Sequence, residues 1–382
     1  MHRNWLRRQK EILAKDRWLV AVLTWLPVAL IACLWWIFAQ GIARDMPIGV
    51  VDLDHSQLSR QIVHHYDASP SLAIKHMYSD ATAAKQALKS GDIYAYVVIP
   101  KGASKDVYIS QPPQISAFVN TQFILVGRLV NSALVQAQGT LNAKLDAGKV
   151  LVQGNNTPTQ ALGKAVPVRS QITALFNKGA NYAQFLISAL VPAIWQIALV
   201  VSTVMILAAN YRLHGMQAWL GETPVKNWLK TLAPYVPIFI MQGLAFTYWL
   251  YIALSWPFHG QFWILICAQI LMVFACIVMG SMFYFLSMDA TRAMSFAGAF
   301  TAPSFAFMGI TFPVTDMNLL AQTWRNLLPV SHYIEVQTSQ AHYGSSFLEV
   351  LPMLESLLGY LGPLVIVVVL IRKKHAKHKV TA

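Results

Sequence analysis

Amides such as Gln196, Gln242 and Gln269 are the polar groups that fall inside the long apolar runs of this sequence. An amide donates and accepts hydrogen bonds, but it has no proton to exchange near neutral pH. Ion-driven transport generally draws on intramembrane Asp, Glu, His or Arg, and no charged residue lies mid-run here. The three amides are therefore candidates for lining a substrate path, and energy is expected to enter from elsewhere. His64-His65 resembles a metal pair, but neighbours in a helix point to different faces, so a solvated surface pair is expected. Gly148-Lys149-Val150 lacks the spacing and the hydroxyl of a phosphate loop. No HExxH, GxSxG or CxxC element occurs. Cys33, Cys267 and Cys276 all fall in apolar runs, which leaves the polar stretch no disulfide framework and no thiolate site. No catalytic residue, metal or cofactor is expected, and the chain is not expected to hydrolyse ATP by itself.

The elements that must hold those amides are helices of membrane length. Of the 382 residues, 56% are hydrophobic and 12% charged, against roughly 25% charged in soluble domains. That composition excludes a disordered chain and argues against a soluble enzyme. Apolar runs near the twenty residues a spanning helix needs occur at 18–42, 182–209, 231–256, 262–288 and 293–312. A sixth, 356–371, is short and extendable upstream. The expected fold is an α-helical polytopic membrane protein with six transmembrane helices, one before and five after an inserted extracytoplasmic α/β domain.

The net charge of +13 sorts by segment. Arg3, Arg7, Arg8, Lys10, Lys15 and Arg17 precede the first run. Arg212, Lys226 and Lys230 follow the second, and Arg372, Lys373, Lys374, Lys377 and Lys379 follow the last. The positive-inside rule places both termini and the 210–230 loop in the cytoplasm. Nucleic acid is not an expected partner. The first run is long, with bulky Trp35-Trp36 where small residues would precede cleavage, so it reads as a retained anchor. The expected division is an interfacial helix at 1–17, a first span at 18–42, the outer domain at 43–180 and a five-helix bundle at 181–371. That bundle includes the 210–230 loop and an outer segment at 313–355, and a basic tail at 372–382 closes the chain.

Within 43–180, short apolar runs at 47–52, 72–74, 93–99 and 115–119 predict strands. Ser56 starts one helical pattern, and Asp80 caps another that Gly91 ends. From Thr121 to Leu151, Phe123, Val126, Val130, Leu134, Ala137, Leu141 and Leu145 form an apolar stripe. The stripe packs either on its own α/β domain or on a partner, as a stalk or subunit interface. A turn-rich break is expected at 154–159.

Two cytoplasmic elements could receive force. Trp5, Leu6, Ile12 and Leu13 share one face of an N-terminal helix and its cations the other, as in an interfacial helix. Met216, Trp219 and Leu220 form a short apolar face before Thr223-Pro224, suited to docking in a partner's groove.

At this point the chain resembles the permease subunits of ABC-2 type exporters, in the branch with a large extracytoplasmic domain. Pro47-Ile48-Gly49-Val50-Val51-Asp52-Leu53-Asp54-His55-Ser56, with Leu58-Ser59-Arg60, is similar to that branch's opening strand and helix start. Ala83 to Pro100 resembles its A-x-x-x-L-x-x-G…IP element, and Phe312-Pro313 with Leu328-Pro329-Val330-Ser331-His332-Tyr333 its last outer segment. Gly215 through Thr223-Pro224 to Pro234 resembles the coupling region. The resemblance thus points to Arg212, His214, Gly215, Met216, Trp219, Leu220, Thr223 and Pro224 as the ATPase-coupling residues. One departure stands out. The family pattern E-x-E-x-G-T is here Tyr211-Arg212-Leu213-His214-Gly215-Met216, without either acid or the Thr.

The resemblance implies cytoplasmic ABC ATPase subunits and a second permease copy, as homodimer or paralogous heterodimer. It also implies a hydrophobic or amphipathic substrate, and in some systems a membrane-fusion adaptor and an outer-membrane channel. The lipid bilayer is a further partner. The 313–355 segment, with Leu319, Leu320, Trp324 and Leu327, is either re-entrant or a simple interfacial loop. The alternative function is a non-transporting membrane receptor or scaffold whose outer domain binds a ligand. Five clustered runs favour transport, because one span is enough to anchor a domain. An intramembrane enzyme lacks an acid–base pair at depth.

Overall fold

A computed structural model describes residues 2–109, 111–152, 154, 157–166 and 175–380. Residues 155–156 of the expected break, 167–174 of the expected outer domain and 381–382 of the tail lie outside the described residues. The chain forms two compact units: Ile42–Thr173, and Met1–Gly41 with Ala174–Ala382.

The second of these units opens with α1 (His2–Lys15), α2 (Arg17–Leu23) and α3 (Trp25–Phe38). Asp16 separates α1 from α2 and caps the latter, its carboxylate accepting from the Leu19 N–H at 3.0 Å. The expected first span bends by 49° between α2 and α3. Pro27 explains the bend: it has no N–H to return to the Leu23 carbonyl four residues earlier.

The Ile42–Thr173 unit alternates strands and helices: β1 (Met46–Asp52), α4 (Gln57–Asp67), β2 (Leu72–Tyr78), α5 (Ala81–Ser90), β3 (Ala95–Ile99), α6 (Ala103–Tyr108), β4 (Ser116–Val119), α7 (Ile124–Val152) and α8 (Pro158–Ala165). The sheet order is β2-β1-β3-β4. β1 runs parallel to β2 and β3, and β4 antiparallel to β3. The central strands are covered on both faces, as parallel strands usually are. Ile48, Val50 and Val97 pack with Ile62 of α4 and Val130, Leu134 and Leu141 of α7. Val51 and Tyr96 pack on the other face with Ala84 of α5. The α7 stripe therefore packs on its own unit, apart from Phe123, which precedes α7 and is exposed.

Local chemistry fixes the turn after β1. The Asp52 carboxylate accepts from the Asp54 and His55 N–H groups and from the Ser59 hydroxyl. Ser56 and Ser59 form a reciprocal capping box at the start of α4. The Asp54 carboxylate accepts from the Gly102 N–H at 2.8 Å and the Ser104 N–H at 3.1 Å, at the start of α6. The Asp54-x-Ser56 motif is thus a folding element that ties β1, α4 and α6 together.

The helical unit continues with α9 (Tyr182–Leu220), α10 (Pro224–Leu232), α11 (Val236–Tyr248), α12 (Phe262–Ser287), α13 (Ala290–Thr301), α14 (Ser304–Phe307), α15 (Leu319–Leu327), α16 (Pro329–Thr338), α17 (Phe347–Leu358) and α18 (Leu361–Val380). Among the described residues, four helices are long and apolar enough to cross a membrane: Tyr182–Leu220, Pro224–Ala253, Phe262–Ser287 and Phe347–Lys377. The bent pair α2–α3 makes five if it is one span. This is a polytopic helical membrane protein. The last span does extend upstream, through α17. The expected run 293–312 is not one continuous helix: α13 stops at Thr301, Pro303 intervenes, and α14 lasts four residues.

Helices α9 and α12 approach closely at Gly280, where an added Cβ would lie 2.9 Å from the Val200 carbonyl oxygen. Segment 313–355 is helical rather than a loop. Val330, Tyr333, Ile334 and Val336 of α16 are buried in the main core with residues of α9 and α12.

Candidate functional site

Helix α9 is broken at Gly215, whose φ of 69° and ψ of 165° belong to a region that only glycine enters readily. Gly215 is exposed, and a Cβ there would meet no atom within 4 Å. The constraint is therefore backbone conformation rather than space. The break turns the last stretch of α9 into a short elbow that closes on α10. Asn227 donates to the Leu220 carbonyl at 2.7 Å, and the Trp219 indole N–H to the Thr231 hydroxyl at 2.9 Å.

The N-terminal helix straps both sides of this break. Before it, Gln9 and Asn210 exchange side-chain hydrogen bonds at 3.0 and 3.2 Å, and Arg212 stands 3.8 Å from the Asp16 carboxylate. After it, Arg8 donates to the Ala218 carbonyl at 2.9 Å. The Tyr235 hydroxyl donates to Gln9 at 3.2 Å, which brings in the turn before α11. Gln9 lies three residues before Ile12, on the face of α1 turned to the bundle, and both are buried.

The apolar face Met216, Trp219 and Leu220 points into the bundle core, where Trp219 stacks with Phe285 at 6.1 Å between ring centroids. It is not the surface a partner would meet. Arg212, Gly215, Ala218, Glu222 and Thr223 are exposed instead, with His214 and Pro224 half-buried. On α1, Ile12 is buried, Trp5 and Leu13 are half-buried and Leu6 is exposed. That face is thus shared between the bundle and solvent or lipid.

The three amides do not come together. Gln196 is fully buried, donating to the Ser304 hydroxyl at 2.8 Å and accepting from the Val330 N–H at 2.8 Å. It satisfies an N-terminal donor of α16, where no helical partner exists. Gln269, also buried, donates to the Gly243 carbonyl and the Thr247 hydroxyl, and lies 3.2 Å from the Tyr333 hydroxyl. Gln242, half-buried, donates to the Leu23 carbonyl at 2.7 Å. Pro192 inside α9 likewise leaves the Ser188 carbonyl without its helical donor, and Gln337 supplies one at 2.7 Å. Gln196, Gln242 and Gln337 thus pair with backbone polar groups freed by a proline or a helix end, as an apolar surrounding requires, whereas Gln269 joins α11, α12 and α16 through the Gly243 carbonyl and two hydroxyls.

Sequence reasoning missed Gln9, Asn210, Asp16, Tyr235 and Gln337. It also missed the ion pair between Arg325 of α15, nearly buried, and Glu335 of α16. The available signal was a polar residue in helical register with buried apolar ones.

A family model described as "ABC-2 family transporter protein" matches residues 17–371. No curated protein matches the chain.

Proposed function

The chain belongs to the ABC-2 transporter family, and on that premise we propose that it is the permease subunit of an ATP-driven exporter. Membership implies partnership with an ABC ATPase subunit. The permease is a transport component in which catalysis belongs to the ATPase. We place it in a bacterial inner membrane with both termini cytoplasmic and the 42–173 unit outside. A second permease copy completes the path for a hydrophobic or amphipathic substrate.

The observation that carries this reading is the strapped break at Gly215. A helix continuous with a long buried span stops at a glycine-only conformation, turns, and presents Arg212, Gly215, Ala218, Glu222 and Thr223 outward. A push on that elbow reaches the bundle along bonded routes: through Trp219 to Thr231, through Trp228 to Ser281 at 3.1 Å, and through Gln9 to Asn210 and Tyr235. The family's acids are absent from 211–216, and the carboxylate beside Arg212 comes from Asp16 instead. That difference supports a partner permease of unlike sequence as much as a second identical copy.

Affinity purification of the full chain tests the reading. Recovery of an ABC ATPase, with ATPase activity stimulated by the permease and lost in Pro224→Trp, is expected. No ATPase in the isolate, together with unchanged export on deletion of the chain, would remove the exporter reading.

A further inference from the structure

The strap and the elbow enclose a cavity of about 290 Å³ whose walls include Trp5, Arg8, Asn210, Trp219, Asn227 and Lys230. Its charge is one-sided: Arg8 and Lys230 line it, and among the described residues no Asp or Glu does. Two indoles, the three amides Gln9, Asn210 and Asn227 and the Thr231 hydroxyl complete the polar wall. Position matters as much as charge. The cavity is walled by α1, which leads directly into the α2–α3 pair, by the last turns of the Tyr182–Leu220 span and by the first turns of the Pro224–Ala253 span. It therefore lies where several spans end together, at the level where lipid headgroups meet water and where Trp is favoured. One donor of the Arg8 guanidinium holds the Ala218 carbonyl, and a guanidinium has five N–H donors in all.

We propose that this cavity binds the phosphodiester headgroup of an anionic phospholipid, held by Arg8 and Lys230 with Asn227 as a neutral donor. A cation pair with no internal carboxylate matches a phosphate oxygen set, and an anionic leaflet supplies that group at high local concentration. Because Arg8 also holds Ala218, the bound headgroup stabilises the strap across the Gly215 break. The proposal does not depend on the exporter reading, since it concerns the isolated chain.

The test is thermal unfolding of the full chain in neutral detergent, titrated separately with short-chain phosphatidylglycerol, short-chain phosphatidylcholine and inorganic phosphate. Phosphatidylglycerol is expected to give a saturable rise in Tm. Arg8→Gln/Lys230→Gln should weaken the apparent affinity by on the order of tenfold or more. Arg8→Lys/Lys230→Arg should keep the response, and Lys10→Gln, an exposed cation of α1 outside the cavity wall, should leave it unchanged. The assignment is overturned by an equal rise with phosphatidylcholine, or by an equal rise with inorganic phosphate, which would mean a free-anion site. An undiminished response in the Gln double variant overturns it too. If that variant does not fold, the comparison rests on Lys230→Gln alone, with the same expected direction.

Discussion

Gln242 donates its side-chain N–H to the backbone carbonyl of Leu23 at 2.7 Å, the carbonyl that Pro27 leaves without a helical partner. The bend between α2 and α3 and a polar residue on α11 are thus one feature. Gln242→Leu should destabilise the chain by about 1–3 kcal/mol, the cost of an orphaned buried polar group. In a Pro27→Ala background the loss should shrink, because the Leu23 carbonyl can regain a helical N–H. Chemical denaturation of the four proteins of that cycle provides the check. Equal losses in both backgrounds would show that the two residues are unconnected.

Gly215→Ala should separate stability from coupling. The substitution meets no steric obstacle, but it forces an alanine into a conformation that costs of order 1–3 kcal/mol. The helix is expected to straighten and move the elbow, so stimulation of the partner ATPase should fall severalfold while the chain still purifies folded. Full stimulation together with a normal Tm would count against the elbow as the coupling element.

The Arg325–Glu335 pair joins α15 to α16 with Arg325 almost fully buried. Glu335→Gln should cost roughly 3 kcal/mol, since it leaves a buried guanidinium uncompensated. Arg325→Met/Glu335→Leu should restore much of that loss, because an apolar pair needs no charge partner. A double variant less stable than Glu335→Gln would refute this account.

The acid limb of stability in the 42–173 unit should involve Asp54. Hydrogen bonding by the Ser56 hydroxyl and by the Ser104 and Gly102 N–H groups outweighs desolvation and holds its carboxyl below the ordinary value of 3.8. A carboxyl depressed in the folded state contributes stability that is present above the unfolded value and lost as pH falls through the folded one. Asp54→Asn should therefore lower stability at neutral pH and flatten the loss on acidification below about 3.8. Circular dichroism of the full chain between pH 2 and 7 measures both. A variant whose acid limb matches the parent would remove Asp54 from the effect.

Much of the local structure was legible because it depends on neighbours in the chain. The strands at 46–52 and 95–99 follow from short apolar runs, the first closed by polar residues and the second stopped by Pro100. Helix α5 follows from Asp80 capping its first turn and Gly91 closing its last at a φ of 81°. The bend at Thr24 was signalled by Pro27, yet the first apolar run reads as one span, because hydropathy averages over a proline.

The sequence by itself determined the class: an apolar, charge-poor chain with clustered spanning runs, a basic excess before the first run and after the last, and one polar stretch of alternating strands and helices. Those properties are sums over residues, and they survive any arrangement of the helices. Only the tertiary structure decided what the polar residues do. Gln242 meets Leu23 across 219 positions, Gln9 meets Asn210 across 201, and Gln196 meets Ser304 across 108. An amide in an apolar run must find a partner, but no periodicity says which. It is settled when helices pack and backbone groups freed by proline or by helix ends take the nearest donor, because in an apolar surrounding no water can serve them.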